Sequence, residues 1–284
     1  MKIKEISEKV NNIKTRYKKL YTNIIWSNLS EDDDAEIYIT EEGIVFVIQE
    51  PNRKRGYYAV SDLSILISLL AKVENGVILE HLHKGKTDDM KNCFLDSGFQ
   101  LYKNYVRTTI CYKKNPYKIP EHGRRKLLQE MYDAECGEYP SLNDAQELYD
   151  LAKSSFDPLT DDIFTLEKWS EIIQNKECFV YRENGKIVAC YVWRLEGKKL
   201  YSNMTINQGA ANYLYNIERR VFEHMWENGI RIYYSWINCK NQKALKRFNQ
   251  NTNDYIKTMN RIYNSIYIKE YRYLRNSLSS FAIL

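Results

Sequence analysis

Residues 206–214 read INQGAANYL, and the fold turns on how this stretch is understood. On its amino side KKLYSNMTI (198–206) alternates like a strand, and on its carboxyl side Leu214, Ile217, Val221 and Met225 recur at helical spacing. The stretch is therefore a strand-to-helix turn carrying one glycine, Gly209, followed by two alanines. Small residues at such a turn let a phosphate approach the first amides of the helix, where unpaired N–H groups and the helix dipole favour an anion. Gln208, Gly209, Ala210, Ala211 and Asn212 form this candidate cradle. It contains no lysine or arginine, so main-chain amides would carry the contact.

Outward from the turn the pattern is regular. Upstream, CFVYRENGKIVACYVW (178–193) reads as a hairpin turning at Glu183-Asn184-Gly185. Two helices precede it: one capped by Ser141 over residues 142–156, and one marked by Leu166, Trp169, Ile172 and Ile173. Downstream lie a strand IRIYYSWI (230–237), a helix NQKALKRF (241–248) and an alternating end, YNSIYIKEYRYL (263–274).

The first part of the chain has a similar order. Ile3, Ile6, Val10, Ile13, Tyr17, Leu20 and Ile24 fall on one helical face and predict an amphipathic helix docked on a sheet, with a membrane-surface or partner helix as the alternative. EIYIT (36–40) and IVFVIQE (44–50) flank a turn at Gly43, where glycine is expected for its positive φ. A strand YYAV (57–60), a helix capped by Ser61 or Asp62, a strand VILEHL (77–82), a helix around 88–95 and a long strand 99–112 follow. KNPYKIPEHG (114–123) has the composition of a linker, and a helix is expected over 124–134. Gly43, Asn75-Gly76 and Phe94 recur in the same order as Gly185, Asn228-Gly229 and Phe248, a period of about 150 residues that suggests internal duplication.

Helix, helix, hairpin, strand, glycine-containing turn, helix, strand, then Asn241, Ala244 and Phe248 in N-x-x-A-x-x-x-F spacing resemble the GCN5-related N-acetyltransferases over roughly residues 141–270. The first half is similar in order but fainter. The resemblance implies an α/β protein of α+β type with two such halves, each a mixed, mostly antiparallel sheet flanked by helices. The expected domains are 1–113 and 124–284, joined by 114–123.

In that family the strand before the turn splays from the strand after the next helix, and the pantetheine arm of acetyl-CoA pairs with main chain in the gap. The resemblance thus implies transfer of an acetyl or other acyl group from acyl-CoA to an amine of a small-molecule or peptide acceptor, in the second half. It assigns cofactor contacts to Met204, Ile206, Gln208, Gly209, Ala210, Ala211, Asn212, Asn241 and Phe248, and catalytic roles to Asn241, Ser202 and Tyr255. The tyrosine that in the family often follows the helix phenylalanine is here Asn249, which is why Tyr255 enters. The turn also departs from the family's (Arg/Gln)-x-x-Gly-x-(Gly/Ala). In the first half YYAVSDLS (57–64) runs into its helix without a glycine, so a packing or substrate-shaping role is expected there. A catalytically inactive binding or assembly module and an aminoacyl-tRNA-dependent transferase are the alternatives.

Composition bounds the rest. A net charge of +5 from 42 basic and 37 acidic residues argues against a dedicated nucleic-acid binder. No run of eighteen apolar residues occurs, and the amino terminus lacks a signal-like apolar core, so no membrane association and a cytoplasmic location are expected. Six scattered cysteines without a C-x-x-C pair read as reduced core thiols. His81 and His83 share one face of a strand, which suits a strand end better than a metal site lacking a third ligand. NRKRG (52–56) reads as a basic hairpin tip, with phosphate contact as the alternative.

Overall fold

A computed structural model describes residues 1–85, 89–114, 137–249 and 255–269. The helix expected over 124–134 and all but the first residue of the linker lie outside them. The chain is a mixed α/β protein in two compact units: Met1–Tyr105 with Arg261–Leu284, and Val106–Asn260. The last strand among the described residues, Tyr255–Lys269, thus belongs partly to the first unit.

In unit 1, helix α1 (Ile3–Arg16) buries Ile3, Ile6, Val10 and Ile13, as its spacing predicts. It ends earlier than the pattern suggests. Tyr17 is already extended (φ −116°, ψ 135°), and the chain continues into a short strand β1 (Tyr21–Thr22). Leu20 and Ile24 still pack with the α1 residues, whereas Tyr21 packs on the opposite core. Strands β2 (Ala35–Ile39), β3 (Gly43–Gln49) and β4 (Lys54–Val60) form an antiparallel meander. Gly43 does not take a positive φ; a Cβ there would lie 2.6 Å from a Val60 methyl, so close approach explains the glycine. Of NRKRG, Asn52 and Arg53 lie in the turn between β3 and β4 and Lys54, Arg55 and Gly56 within β4; Asn52 is exposed, while Arg53 is buried and paired with Glu50 at 2.6 Å.

Helix α2 (Leu63–Leu70) starts at Asp62, whose carboxylate accepts the Ser64 N–H at 2.8 Å. Strand β5 (Val77–His83) follows Gly76, whose φ of +85° suits glycine, and runs parallel to β4. Helix α3 (Asp89–Asp96) and the first part of β6 (Phe99–Tyr112) come next. The carboxyl-terminal strand β11 (Tyr255–Lys269) completes the unit, pairing antiparallel with β5 from Tyr263↔His83 to Ile268↔Ile78. The Lys269 ammonium, buried, donates to the Leu70 and Ala71 carbonyls at 2.5 and 3.1 Å, closing the end of α2.

Unit 2 opens with two helices where unit 1 has one helix and a short strand, and from its hairpin onward follows the same order of strand, strand, strand, helix, strand, helix and strand. Ser141 and Asp144 form a capping box before α4 (Ala145–Ser155), and Thr165 caps α5 (Leu166–Gln174). Strands β7 (Cys178–Glu183) and β8 (Lys186–Glu196) turn at Asn184 and Gly185, with φ of 52° and 79° as a tight hairpin of this type requires. Strand β9 (Lys199–Asn207), helix α6 (Ala211–Glu227), strand β10 (Ile232–Asn238) and helix α7 (Gln242–Asn249) follow. One face of this sheet packs Leu148, Trp169 and Ile172 of α4 and α5; the other packs Ile217, Val221 and Met225 of α6. The five described cysteines all carry free thiols, three of them buried. Among the described residues no helix is long and apolar enough to cross a membrane.

Candidate active site between diverging strands

The site is made by two parallel strands that stop pairing. β9 and β10 are in register only at Lys199↔Ile232, Leu200↔Tyr233 and Tyr201↔Tyr234. Beyond them both strands continue, to Asn207 and Asn238, without ladder bonds between them. The divergence coincides with a bulge in β9. Its pairing with β8 passes from Val192↔Met204 to Trp193↔Ser202, leaving Asn203 as the extra residue.

That extra residue reverses the facing of the strand. Leu200 packs on the α6 side, whereas Met204 and Ile206 pack with α4 and α5 and are buried. The Met204 and Ile206 side chains are therefore core, and what this part of β9 can offer to the gap is main chain.

At the apex, hydroxyls collect on the α6 side. Ser202 is buried, with its Oγ 3.5 Å from Thr205 Oγ1. Tyr191 of β8 and Tyr233 of β10 lie beside it. Burial pushes the Tyr191 hydroxyl far above its ordinary value, with the Tyr233 hydroxyl and the Glu218 carboxylate adding to the effect. Tyr233 is pushed up by burial and then by Glu218. Both therefore stay protonated and can donate. Tyr191 OH makes no well-formed hydrogen bond of its own, and Ser235 of β10 bonds Thr108 of β6 at 3.0 Å beside the cluster. Sequence reading missed this group: strand alternation marks Tyr191 and Tyr233 as core, and only the register brings their hydroxyls to Ser202.

The turn 207–210 is held largely by itself. Asn207 Oδ1 accepts the Gly209 N–H at 3.1 Å and Asn207 Nδ2 donates to the Ala210 carbonyl at 3.1 Å. The Gln208 N–H goes to the Val188 carbonyl at 2.8 Å, and its side chain reaches Ser154 and Ser155 at the end of α4. Ala210 is the N-cap of α6 and supplies no capping side chain, so the first-turn amides, at Ala211 and Asn212, have no side-chain cap. The side chains of Ala211, Asn212 and Tyr255 are outside the described residues; Tyr255 begins β11.

Asn241 is exposed and its Oδ1 accepts the Ala244 N–H at 3.0 Å, which makes it the N-cap of α7. Phe248 is buried with Lys257 Nζ 5.6 Å from its ring centroid. In unit 1, both His83 nitrogens are engaged, Nδ1 by the Gly85 N–H at 3.1 Å and Nε2 by Ser265 Oγ at 2.7 Å. His81 Nδ1 meets Tyr58 OH at 3.2 Å.

No family model and no curated protein matches the sequence. Solved structures do. A GCN5-related N-acetyltransferase from Sphaerobacter thermophilus superposes with a TM-score of 0.52 over 85% of this chain and 82% of its own, at 11% identity. A GCN5-related glucosamine N-acetyltransferase region of a fungal multi-domain GH3 beta-N-acetylglucosaminidase gives 0.50 over 80% of this chain and 31% of its own, at 15% identity. The chain has the GCN5-related N-acetyltransferase fold. At such identities the likeness speaks for the fold alone, and the GCN5-related arrangement accounts for the two diverging strands as part of that fold.

Proposed function

We propose that unit 2 is an N-acyltransferase domain that takes acetyl-CoA, or another acyl-CoA, between β9 and β10 and passes its acyl group to an amine of a small-molecule or peptide acceptor. The observation that carries this reading is the divergence of β9 from β10 at a bulge, with proton-donating hydroxyls at its apex. The residues fit the cofactor in three places. The uncapped first turn of α6 suits the pyrophosphate, the main chain of Met204–Ile206 suits the pantetheine amides, and Asn241 and Phe248, on the segment that follows β10, would meet the cofactor from the other strand.

The chemistry asked of the protein is mostly positioning. An amine nitrogen attacks the thioester carbonyl, the carbon–nitrogen bond forms as the carbon–sulfur bond breaks, and the proton that the nitrogen sheds ends, directly or by relay, on the departing sulfur. In this reading Ser202, Tyr191 and Tyr233 supply the hydroxyls that polarise the carbonyl oxygen or relay the proton to the sulfur. Glu218 is the carboxylate nearest in influence to them. A cytoplasmic location agrees with the free thiols. The shared element order and divergent strand pairs of the two units support reading them as tandem copies.

A second reading, a catalytically inactive binding module, is favoured by one observation: the Gly209 amide and the space above its Cα are used by the chain itself. Calorimetric titration with acetyl-CoA separates the two. Binding at micromolar to low millimolar affinity, with release of CoA in the presence of an amine acceptor, is expected. No heat and no thermal stabilisation at millimolar acetyl-CoA would sink the acyltransferase, because a ligand of the native state must stabilise it.

A further inference from the structure

Unit 1 contains a second pair of diverging parallel strands. β4 and β5 are in register only at Lys54↔Val77, Arg55↔Ile78 and Gly56↔Leu79, and then part. Here the opening is taken by the chain itself. β1 lies antiparallel on the part of β4 that has left β5, with Tyr21↔Val60 and Thr22↔Ala59. The next residue, Asn23, spans the fork. Its Nδ2 donates to the Gly56 carbonyl on β4 at 3.2 Å and to the Glu80 carbonyl on β5 at 3.1 Å. Its Oδ1 accepts the Tyr58 N–H at 2.8 Å, and its own N–H points to the Tyr58 carbonyl at 3.4 Å.

The chemistry of the contact is particular to asparagine. One side chain must present two donors and an acceptor within a single planar group, which neither aspartate nor an aliphatic residue does. Two further links cross the same fork: Arg55 to Glu80 at 2.7 Å, and Tyr58 OH to His81 Nδ1 at 3.2 Å. The flanking residues anchor the segment in two cores, Tyr21 in one and Leu20 with Ile24 in the other. Withdrawing it would expose all three and leave main-chain groups of Gly56, Tyr58 and Glu80 without these partners.

We infer that Tyr21–Asn23 is a built-in occupant that closes the strand fork of unit 1 to any acyl-CoA. Among the described residues the fork between β9 and β10 is then the one left for a cofactor, and the first unit serves as a closed support. This extends the reading of unit 2 but can be tested apart from it.

The test is residue-resolved amide hydrogen exchange by NMR, with and without acetyl-CoA. In the Asn23→Ala protein the Tyr58 amide should exchange at least about tenfold faster while β2–β3 amides keep their rates, since a hydrogen bond of ordinary net strength is lost. An unchanged Tyr58 rate would overturn the inference. In the unaltered protein, millimolar acetyl-CoA should leave the Gly56 and Tyr58 signals in place and calorimetry should give no more than one equivalent per chain. Movement of those signals, or two equivalents, would overturn it even if the Asn23→Ala protein does not fold. Absence of any acetyl-CoA binding would count against the acyltransferase but not against the closed fork, which the exchange rates judge.

Discussion

The ring of Tyr213 lies over Gly209: a Cβ built on the glycine would stand 2.5 Å from Tyr213 Cδ2 and 3.2 Å from a Val188 methyl. Gly209 has no positive φ to require glycine, so its neighbour does. Tyr213 is fixed from the other side by stacking on Tyr181 at 4.1 Å and by donating to Glu183 at 3.1 Å. The single glycine of INQGAANYL thus makes room for a tyrosine of the same helix, and the cofactor contact, if made, falls to the amides that follow.

This separates packing from binding. Gly209→Ala should destabilise the protein by about 1–3 kcal/mol through overpacking. In a Tyr213→Ala background the same change should cost much less, a coupling that chemical denaturation of the four proteins in a double-mutant cycle measures directly. Equal costs in both backgrounds would mean that the tyrosine is not what demands the glycine.

The apex hydroxyls give a kinetic prediction. Tyr233→Phe and Tyr191→Phe should each lower kcat by about 10²-fold, the usual weight of a positioned proton donor, with little change in the acyl-CoA KM. Stability should change little for Tyr191→Phe, because its buried hydroxyl has no well-formed bond to lose. Both pKa values lie above the ordinary tyrosine value of about 10, so loss of these protons should produce no alkaline fall in kcat below about pH 10. A Phe variant with unchanged kcat would remove that residue from the mechanism.

What could be read in advance follows the physics of each feature. The Asn184-Gly185 turn and the Asp62 cap were legible because local backbone geometry selects those residues. The end of α1 was not, since Tyr17, Leu20 and Ile24 keep a helical period while their chain runs extended between two cores. Alternation does not show which face the Met204 and Ile206 side chains take, because the facing of β9 inverts at Asn203 and a bulge without glycine leaves no mark in the sequence. The partner of β11 was equally hidden. Alternation marks a strand but does not say that Tyr263–Ile268 pairs with β5, at the other end of the sequence.

Asn241 is where a structural and a functional role can be told apart by substitution. As the N-cap of α7, its replacement in Asn241→Ala should cost about 1 kcal/mol, and Asn241→Ser, which also caps well, should restore most of it. Its proposed cofactor contact would use the amide nitrogen, which serine lacks. Thermal melts should therefore recover in the serine variant while the acetyl-CoA KM stays raised; recovery of both would leave Asn241 a cap only.

The last prediction concerns acid. Asp144 sits at the entry to α4 with 15% side-chain exposure, 2.7 Å from Arg182 Nη2, and its Oδ2 accepts both the N–H and the hydroxyl of Ser141, at 2.7 and 2.9 Å. Burial alone would raise its pKa, but the Arg182 and Ser141 bonds outweigh it, and the carboxyl is held below the ordinary aspartate value. A depressed folded-state pKa means that the unfolded chain binds the proton first. The stabilisation is complete above the unfolded value of about 3.9 and disappears as the pH falls through the folded value. Arg182 is also paired with Glu138 at 2.6 Å, so the variant to compare is Asp144→Asn, which leaves that pair intact. At pH 7 it should be less stable by about 2 kcal/mol, the scale of a hydrogen bond to a charged group. Between pH 5 and 2.5 the difference should shrink towards zero, because the unaltered protein loses a stabilisation that the variant never had. Urea denaturation of both proteins across that range checks the sign, and curves that fall in parallel would show that Asp144 is not the titrating group.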